Sequence, residues 1–308
     1  MMKTNSLTIT YLSKVSFASL NGADKEVDNI NPIKKIRLNN GEELPYLSSQ
    51  AVRRALRDKL EELGFALSPV EASSTDKGAP KTALNPKEYI DDDLFGYMNA
   101  QAGKGTDAGF SNVRTSPVRV ESLLALATYK GDLDYATNFM GKKINLNANI
   151  FETEIHSGVY RGSILIELDR VGKEFTIKDD KTNEVNHEDL VENSEKSRRV
   201  CAFLDALQTM WTSGRQTRFL SDISPKFMVA AIMKSKNPIF MESVTLNEEG
   251  EVDLDKINSV ADDYDRFIDK HVLGVQEGVF KKQSDMMKSM KDAFQEVKNW
   301  IEGYYNVK

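Results

Sequence analysis

The sequence predicts a mixed α+β fold, an antiparallel sheet with helices on one face. Three observations carry this. Residues 6–13 alternate apolar and polar, as a strand half-covered by a core does. The longest helical pattern, Glu188 to Ser213, follows a pair of strand patterns. Regular alternation of strand and helix, the mark of a doubly wound sheet, is missing.

The elements follow in order. After the first strand comes a polar, turn-rich stretch, then a short strand at Ile33 to Leu38 and a turn at Asn39-Asn40-Gly41. A helix follows, with Ser48 or Ser49 as its cap and its end near Gly64. Val52, Ala55, Leu56, Leu60 and Leu63 recur at helical spacing as its apolar stripe. Residues 68–88 carry small residues and proline and read as a long loop. Asp91 to Ala100 reads as a short helix, and Gln101 to Asn112 as a glycine-rich loop with Lys104 at its tip. Val113 to Tyr129 returns to core-like sequence. Asn149 to Val171 reads as two strands meeting near Ser157-Gly158. Pro225 to Phe240 fits a strand or a buried helix, and periodicity does not decide. Leu254 to Leu273 and Ser284 to Tyr304 read as amphipathic helices.

The 308 residues, 40% of them hydrophobic, suffice for a large core, and no apolar run approaches a membrane span. Cys201 is the only cysteine, so no intrachain disulfide forms. With no signal-peptide pattern at the start, the expected location is the reducing cytoplasm. The net charge of −6 argues mildly against a nucleic-acid binder, but its distribution weakens that argument. Residues 179–195 and 242–269 are strongly acidic, whereas residues 31–60 carry seven bases against three acids.

Catalytic and metal signatures are scarce. His156, His187, His271 and Cys201 lie far apart, without ligand spacing. Asp91-Asp92-Asp93 is the densest carboxylate run; a solvated helix start explains it better than a cation site. No nucleophile elbow and no phosphate loop occur. No metal and no cofactor are therefore expected. The basic elements carry more. Arg53, Arg54 and Arg57 share the polar side of the helix after Leu47, and no carboxylate precedes Asp58 there. A bare helix N-terminus followed by arginines favours an anion. Lys34, Lys35 and Arg37, then Lys196, Arg198 and Arg199, then Arg215 and Arg218 repeat the theme. Ser48, Ser49, Gln50, Gln216 and Thr217 add neutral donors suited to a phosphate backbone.

Phe17-Ala18-Ser19-Leu20-Asn21-Gly22, followed by the run from Leu44 through Ser48-Ser49-Gln50 to Arg57, resembles the N-terminal signature of the CRISPR Cascade backbone subunit of the DevR type, the Cas seven family of type I-B systems. Asp93-Leu94-Phe95-Gly96-Tyr97-Met98 and Arg114-Thr115-Ser116-Pro117-Val118-Arg119 follow in the same order. Phe151-Glu152-Thr153-Glu154-Ile155 with Gly158-Val159-Tyr160, and Gly214-Arg215-Gln216-Thr217-Arg218-Phe219, complete the likeness over roughly residues 5–240.

The resemblance implies one domain over 1–308: an RRM-like (ferredoxin-like) palm with finger and thumb insertions, for which 68–112 and 130–148 are candidates. Residues 241–308 would form a C-terminal helical extension. It implies a non-catalytic subunit that binds CRISPR RNA, stacks with copies of itself and other Cascade subunits, and presents the guide to target DNA in antiviral defence. Ser48, Ser49, Gln50, Arg53 and Arg54, with Arg57 beside them, would hold the RNA backbone. Gly214, Arg215, Gln216, Thr217 and Arg218 would form a basic loop beside it. Phe139 and Met140 are the thumb candidates, apolar residues suited to wedging between bases. Two other readings stay open. One is an RNA endonuclease like the type III backbone subunits, with Asp24 and Asp28 in a suitable loop. The other is a small-molecule enzyme with an anion pocket at the arginine helix.

Overall fold

The computed structural model describes residues 3–24, 29–71, 81–101, 110–140, 143, 149–179, 184–211 and 218–307. The N-terminal part contains β1 (Ser6–Ala18), β2 (Ile30–Asn31), β3 (Lys35–Arg37), β4 (Glu43–Leu47), α1 (Ser49–Glu62) and α2 (Ile90–Phe95). Then come β5 (Tyr97–Gln101), β6 (Phe110–Arg114), β7 (Val118–Val120), β8 (Leu123–Ala125), β9 (Leu133–Asn138) and β10 (Asn149–Glu154). The rest comprises β11 (His156–Glu167), β12 (Lys173–Asp179), β13 (Glu184–Asp189), α3 (Asn193–Gln208), β14 (Phe227–Met233), α4 (Leu254–Asp263), β15 (Ile268–Val275), β16 (Met287–Ser289) and α5 (Met290–Tyr304).

One large sheet runs in the order β16-β15-β14-β1-β11-β8-β4-β3, with β7 also on β11. Its neighbours are antiparallel except for the parallel pair β15 and β16, so the sheet is mixed. Small sheets β2-β10-β9, β12-β13 and β5-β6 stand beside it.

The central strand β1 is longer than the expected 6–13 and is buried on both faces up to Ser13. Leu7, Ile9 and Tyr11 pack with Leu56 and Leu60 of α1, Phe203 and Leu207 of α3, and Phe294 and Ile301 of α5. Leu12 on the opposite face joins Phe227, Val229, Phe240, Val252 and Ile257 of α4. The expectation of helices on one face holds for α1, α2, α3 and α5, whereas α4 packs on the other. Of the buried polar residues of β1, Ser6, Thr10 and Ser13 have internal partners, whereas the Thr8 hydroxyl has none among the described residues. Thr10 shares a hydrogen bond with Ser163 at 3.0 Å, and the Ser13 hydroxyl donates to the Ile223 carbonyl at 2.6 Å.

Several boundaries differ from the sequence reading. Within the segment 225–240, Phe227–Met233 is a strand, with every residue of β14 buried between β1 and β15, and the rest is turn and loop. The helix expected over Leu254 to Leu273 stops at Asp263, and Ile268–Val275 pairs with β14 instead. Residues 241–308 are therefore not wholly helical: β15 and β16 belong to the main sheet, because Val272, Leu273 and Val275 find cores on both of its faces. The helix expected from Ser284 starts at Met290, where Ser289 caps it by accepting from the Asp292 N–H at 3.1 Å. The helix expected over Glu188 to Ser213 spans only Asn193–Gln208, because its first residues pair with β12. The helix expected over Asp91 to Ala100 ends at Phe95. There Gly96 adopts φ +64°, and β5 begins.

Candidate nucleic-acid interface

Helix α1 follows directly from β4. Val52, Ala55, Leu56 and Leu60 of its apolar stripe are buried against the sheet and α3, whereas Leu63, the residue that ends the helix, is exposed; Gln50 and Arg54 face outward. Ser48 is the N-cap, accepting from the Ala51 N–H at 3.4 Å. The Ser48 N–H donates to Asn21 Oδ1 at 3.0 Å, and the Ser49 N–H to Ser122 Oγ at 3.0 Å. The Ser49 hydroxyl donates to the Val120 carbonyl at 2.8 Å. The helix end is thus less bare than its sequence suggests. Of the first N–H groups, those of Ser49 and Ala51 have protein acceptors, which leaves the Gln50 N–H as one the helix itself does not pair.

The three arginines have different surroundings. Arg54 is the outward one, its side chain 69% exposed and paired with Asp58 at 2.7 Å. Arg53 is half-buried over the Phe95 ring and donates to the Phe95 carbonyl. Arg57 lies 4.5 Å over the same ring and 3.6 Å from Asp91. Burial lowers the pKa of both Arg53 and Arg57; the charge of Arg57 adds to the effect on Arg53, whereas Asp91 and Asp92 oppose it at Arg57. The expectation that all three share one open surface is corrected. Arg53 and Arg57 clamp the end of α2, and Arg54 is the arginine that faces out.

The Asp91-Asp92-Asp93 run is a buried polar knot, not a solvated helix start. Asp91 accepts from the Ser68 N–H at 2.8 Å and Asp92 from the Asn85 N–H at 2.9 Å. Asp93, fully buried, meets Arg114, Arg199 at 2.8 Å and the Gly172 N–H at 3.0 Å. Arg199 also donates to the carbonyls of Pro86 and Lys87, both at 2.7 Å. Lys196 is buried and pairs with Asp189. Lys196 and Arg199 are therefore internal connectors. Arg198 pairs with Glu195 at 2.6 Å and Lys35 with Glu154 at 2.7 Å. Among the described residues, no group of three His, Cys, Asp or Glu side chains is placed to hold a metal ion.

Motifs far apart in sequence meet in space. Asn21 of the first motif holds Ser48 of the second, and Arg53 of the second holds Phe95 of the third. Asp93 of the third holds Arg114 of the fourth, and the Ser116 hydroxyl donates to the Leu94 carbonyl at 3.0 Å. Phe17 packs on Phe219, their ring centroids 5.4 Å apart. Arg218 lies 5.0 Å over the Phe151 ring, donates to Thr153 Oγ1 at 3.2 Å and pairs with Asp134. Gly214, Arg215, Gln216 and Thr217 lie outside the described residues. Phe139 and Met140 are exposed just beyond β9, in the small sheet β2-β10-β9. The other candidate insertion, 68–112, is not a single outlying piece, because Ile90, Leu94 and Phe95 of α2 lie in the main core. Asp24 is exposed in the loop after β1, and Asp28 lies outside the described residues. Sequence reasoning assigned no role to Asn21, Ser122 or Glu154. Such partners depend on which strands become neighbours, and local patterns carry no signal for that.

Fold and site together define a mixed α+β protein on one large sheet, with its sequence motifs linked by contacts from one to the next. Residues 9–253 match the family described as CRISPR-associated negative auto-regulator DevR/Csa2, and the chain belongs to that family. The resemblance read from the motifs is borne out. The curated "CRISPR-associated protein Cas7/Cst2/DevR" of Myxococcus xanthus (strain DK1622) is 26% identical over 151 residues, which are 45% of this chain and 50% of that protein. The match thus spans about half the length of that relative. A chain of the solved structure "CRISPR RNA-guided surveillance complex, pre-nicking" superposes with TM-score 0.58 at 13% identity, covering 97% of this chain and 99% of that one. A chain of a second structure, "CRISPR RNA-guided surveillance complex", gives TM-score 0.55 at 15% identity over 96% and 99%. At these identities the likeness is one of fold. No helix among the described residues is long and apolar enough to cross a membrane.

Proposed function

We propose that the chain is a non-catalytic backbone subunit of a type I-B Cascade surveillance complex. It binds CRISPR RNA, assembles along it with copies of itself and other Cascade subunits, and presents it for pairing with target DNA. The observation that carries this reading is the joining of six separated motifs, α1 among them, into one contact chain. Exposed Gln50 and Arg54, with Ser48, Ser49 and half-buried Arg53 behind them, suit phosphates. Arg57 holds α2 in place beside them, and the segment 214–218 supplies further basic contact. Phe139 and Met140 are the thumb, where apolar side chains separate neighbouring bases.

Topology supports an RRM-like palm. The strands β14-β1-β11-β7 are antiparallel neighbours; α1 lies between β1 and β7, and α3 between β11 and β14. That is the β-α-β-β-α-β order of a ferredoxin-like fold, with both helices in one core. The small sheet β2-β10-β9 and the hairpin β5-β6 then serve as thumb and finger elements. A subunit repeated along a variable guide has to bind without reading bases, which backbone contacts allow.

Native purification tests the proposal. A high-mass peak rich in nucleic acid, with RNA of mixed sequence, is expected. A monomer free of RNA that binds none when offered it would overturn the reading in favour of a small-molecule enzyme. Regular cleavage of complementary RNA by the assembled complex with magnesium would overturn the non-catalytic role in favour of an endonuclease.

A further inference from the structure

We infer that Phe17 is a stacking platform for one unpaired nucleobase of the bound strand. The inference rests on the guide-RNA reading above and adds a base contact to it. The register between β1 and β11 shifts between Val15 and Ala18, and this irregularity turns Phe17 out of the sheet at the end of its central strand. The ring stays 48% exposed although it is large and apolar. It is not loosely held: Phe219, 2% exposed, packs on it with the ring planes inclined at 52°. Beside this pair lies the Arg218 guanidinium, 5.4 Å from the Phe219 ring and fixed by Asp134, Thr153 and Phe151. A braced, half-exposed aromatic ring next to a guanidinium is the chemistry that holds a single strand, with the cation on the phosphate and the ring on the base. Every base has a π-face, so the contact adds affinity without adding sequence preference.

The test compares an oligouridine with an abasic oligomer of the same length and phosphate count, using the full chain. Wild-type protein should prefer the uridine oligomer, and Phe17→Leu should reduce that preference about tenfold with unchanged affinity for the abasic oligomer. Phe17→Trp should keep the preference. An equal preference in wild type and Phe17→Leu would overturn the inference while leaving RNA binding intact. Failure of the wild type to bind either oligomer would remove the guide-RNA reading itself. Ultraviolet crosslinking of wild-type protein to 5-iodouridine RNA gives a second readout that needs no variant. The crosslinked peptide should contain Phe17, and crosslinks confined to other segments would overturn the assignment.

Discussion

Replacing Asp93 by alanine is expected to destabilise the protein by about 3 kcal/mol, because it takes a shared carboxylate from two buried guanidinium groups. The side chain of Asp93 is fully buried, and those of Arg114 and Arg199 are 5% and 3% exposed. Removing one partner of a buried ion pair typically costs about 3–5 kcal/mol. The lower end applies, since both arginines keep other acceptors. Arg114 retains the Lys173 carbonyl at 2.7 Å, and Arg199 retains Glu195 at 2.9 Å and two carbonyls. The lost bond from the Gly172 N–H adds to the cost. For 308 residues the unfolding entropy is about 0.65 kcal/mol per kelvin, so the melting temperature should fall by about 5 °C. Urea unfolding followed by circular dichroism measures the change. Asp93→Asn, which keeps the volume, should recover part of it. A loss below about 0.5 kcal/mol for Asp93→Ala would refute the reasoning, since that is the result for a solvated residue at a helix start. A melting temperature that rises with added magnesium in wild type but not in the variant would point to a cation site instead.

Three further outcomes are expected. Arg54→Ala should weaken binding of unrelated RNAs alike, reduce the salt dependence by about one unit of slope and leave stability within about 0.5 kcal/mol; loss confined to some sequences would contradict backbone contact. Gly96→Ala should cost more than about 2 kcal/mol in urea unfolding, because φ is +64° and a Cβ would meet the Arg114 carbonyl oxygen and lie 2.8 Å from the Ser116 nitrogen. Burial alone would raise the pKa of Glu167, but Lys236 at 2.9 Å, Arg119 and Arg170 outweigh it and hold the carboxyl below its ordinary 4.5. Its contribution to stability is therefore complete above pH 4.5 and lost as the pH falls through the lower folded value. Glu167→Gln should flatten that acid limb in a series of melting curves, and an unchanged limb would show that other carboxylates set it.

Composition and periodicity by themselves determined the α+β class, a serine cap for α1 at Ser48 or Ser49 and its apolar stripe as far as Leu60, while the resemblance of the ordered motifs marked the family. Each rests on near neighbours in the chain: a serine before a helix, leucines three or four residues apart, short ordered runs. Tertiary structure decided the rest. Residues 268–275 have a helix-compatible pattern yet form a strand, because β14 offers an unpaired edge between two cores. Asp91 to Asp93 look like a solvated helix start yet are buried, because Arg114 and Arg199 arrive from 21 and 106 residues away. Arg53, Arg54 and Arg57 are alike in sequence, but packing of α2 against α1 leaves only Arg54 well exposed. Whether a charge faces solvent or a buried partner depends on which distant elements become neighbours. That is settled by core packing over the whole chain, and no local spacing records it.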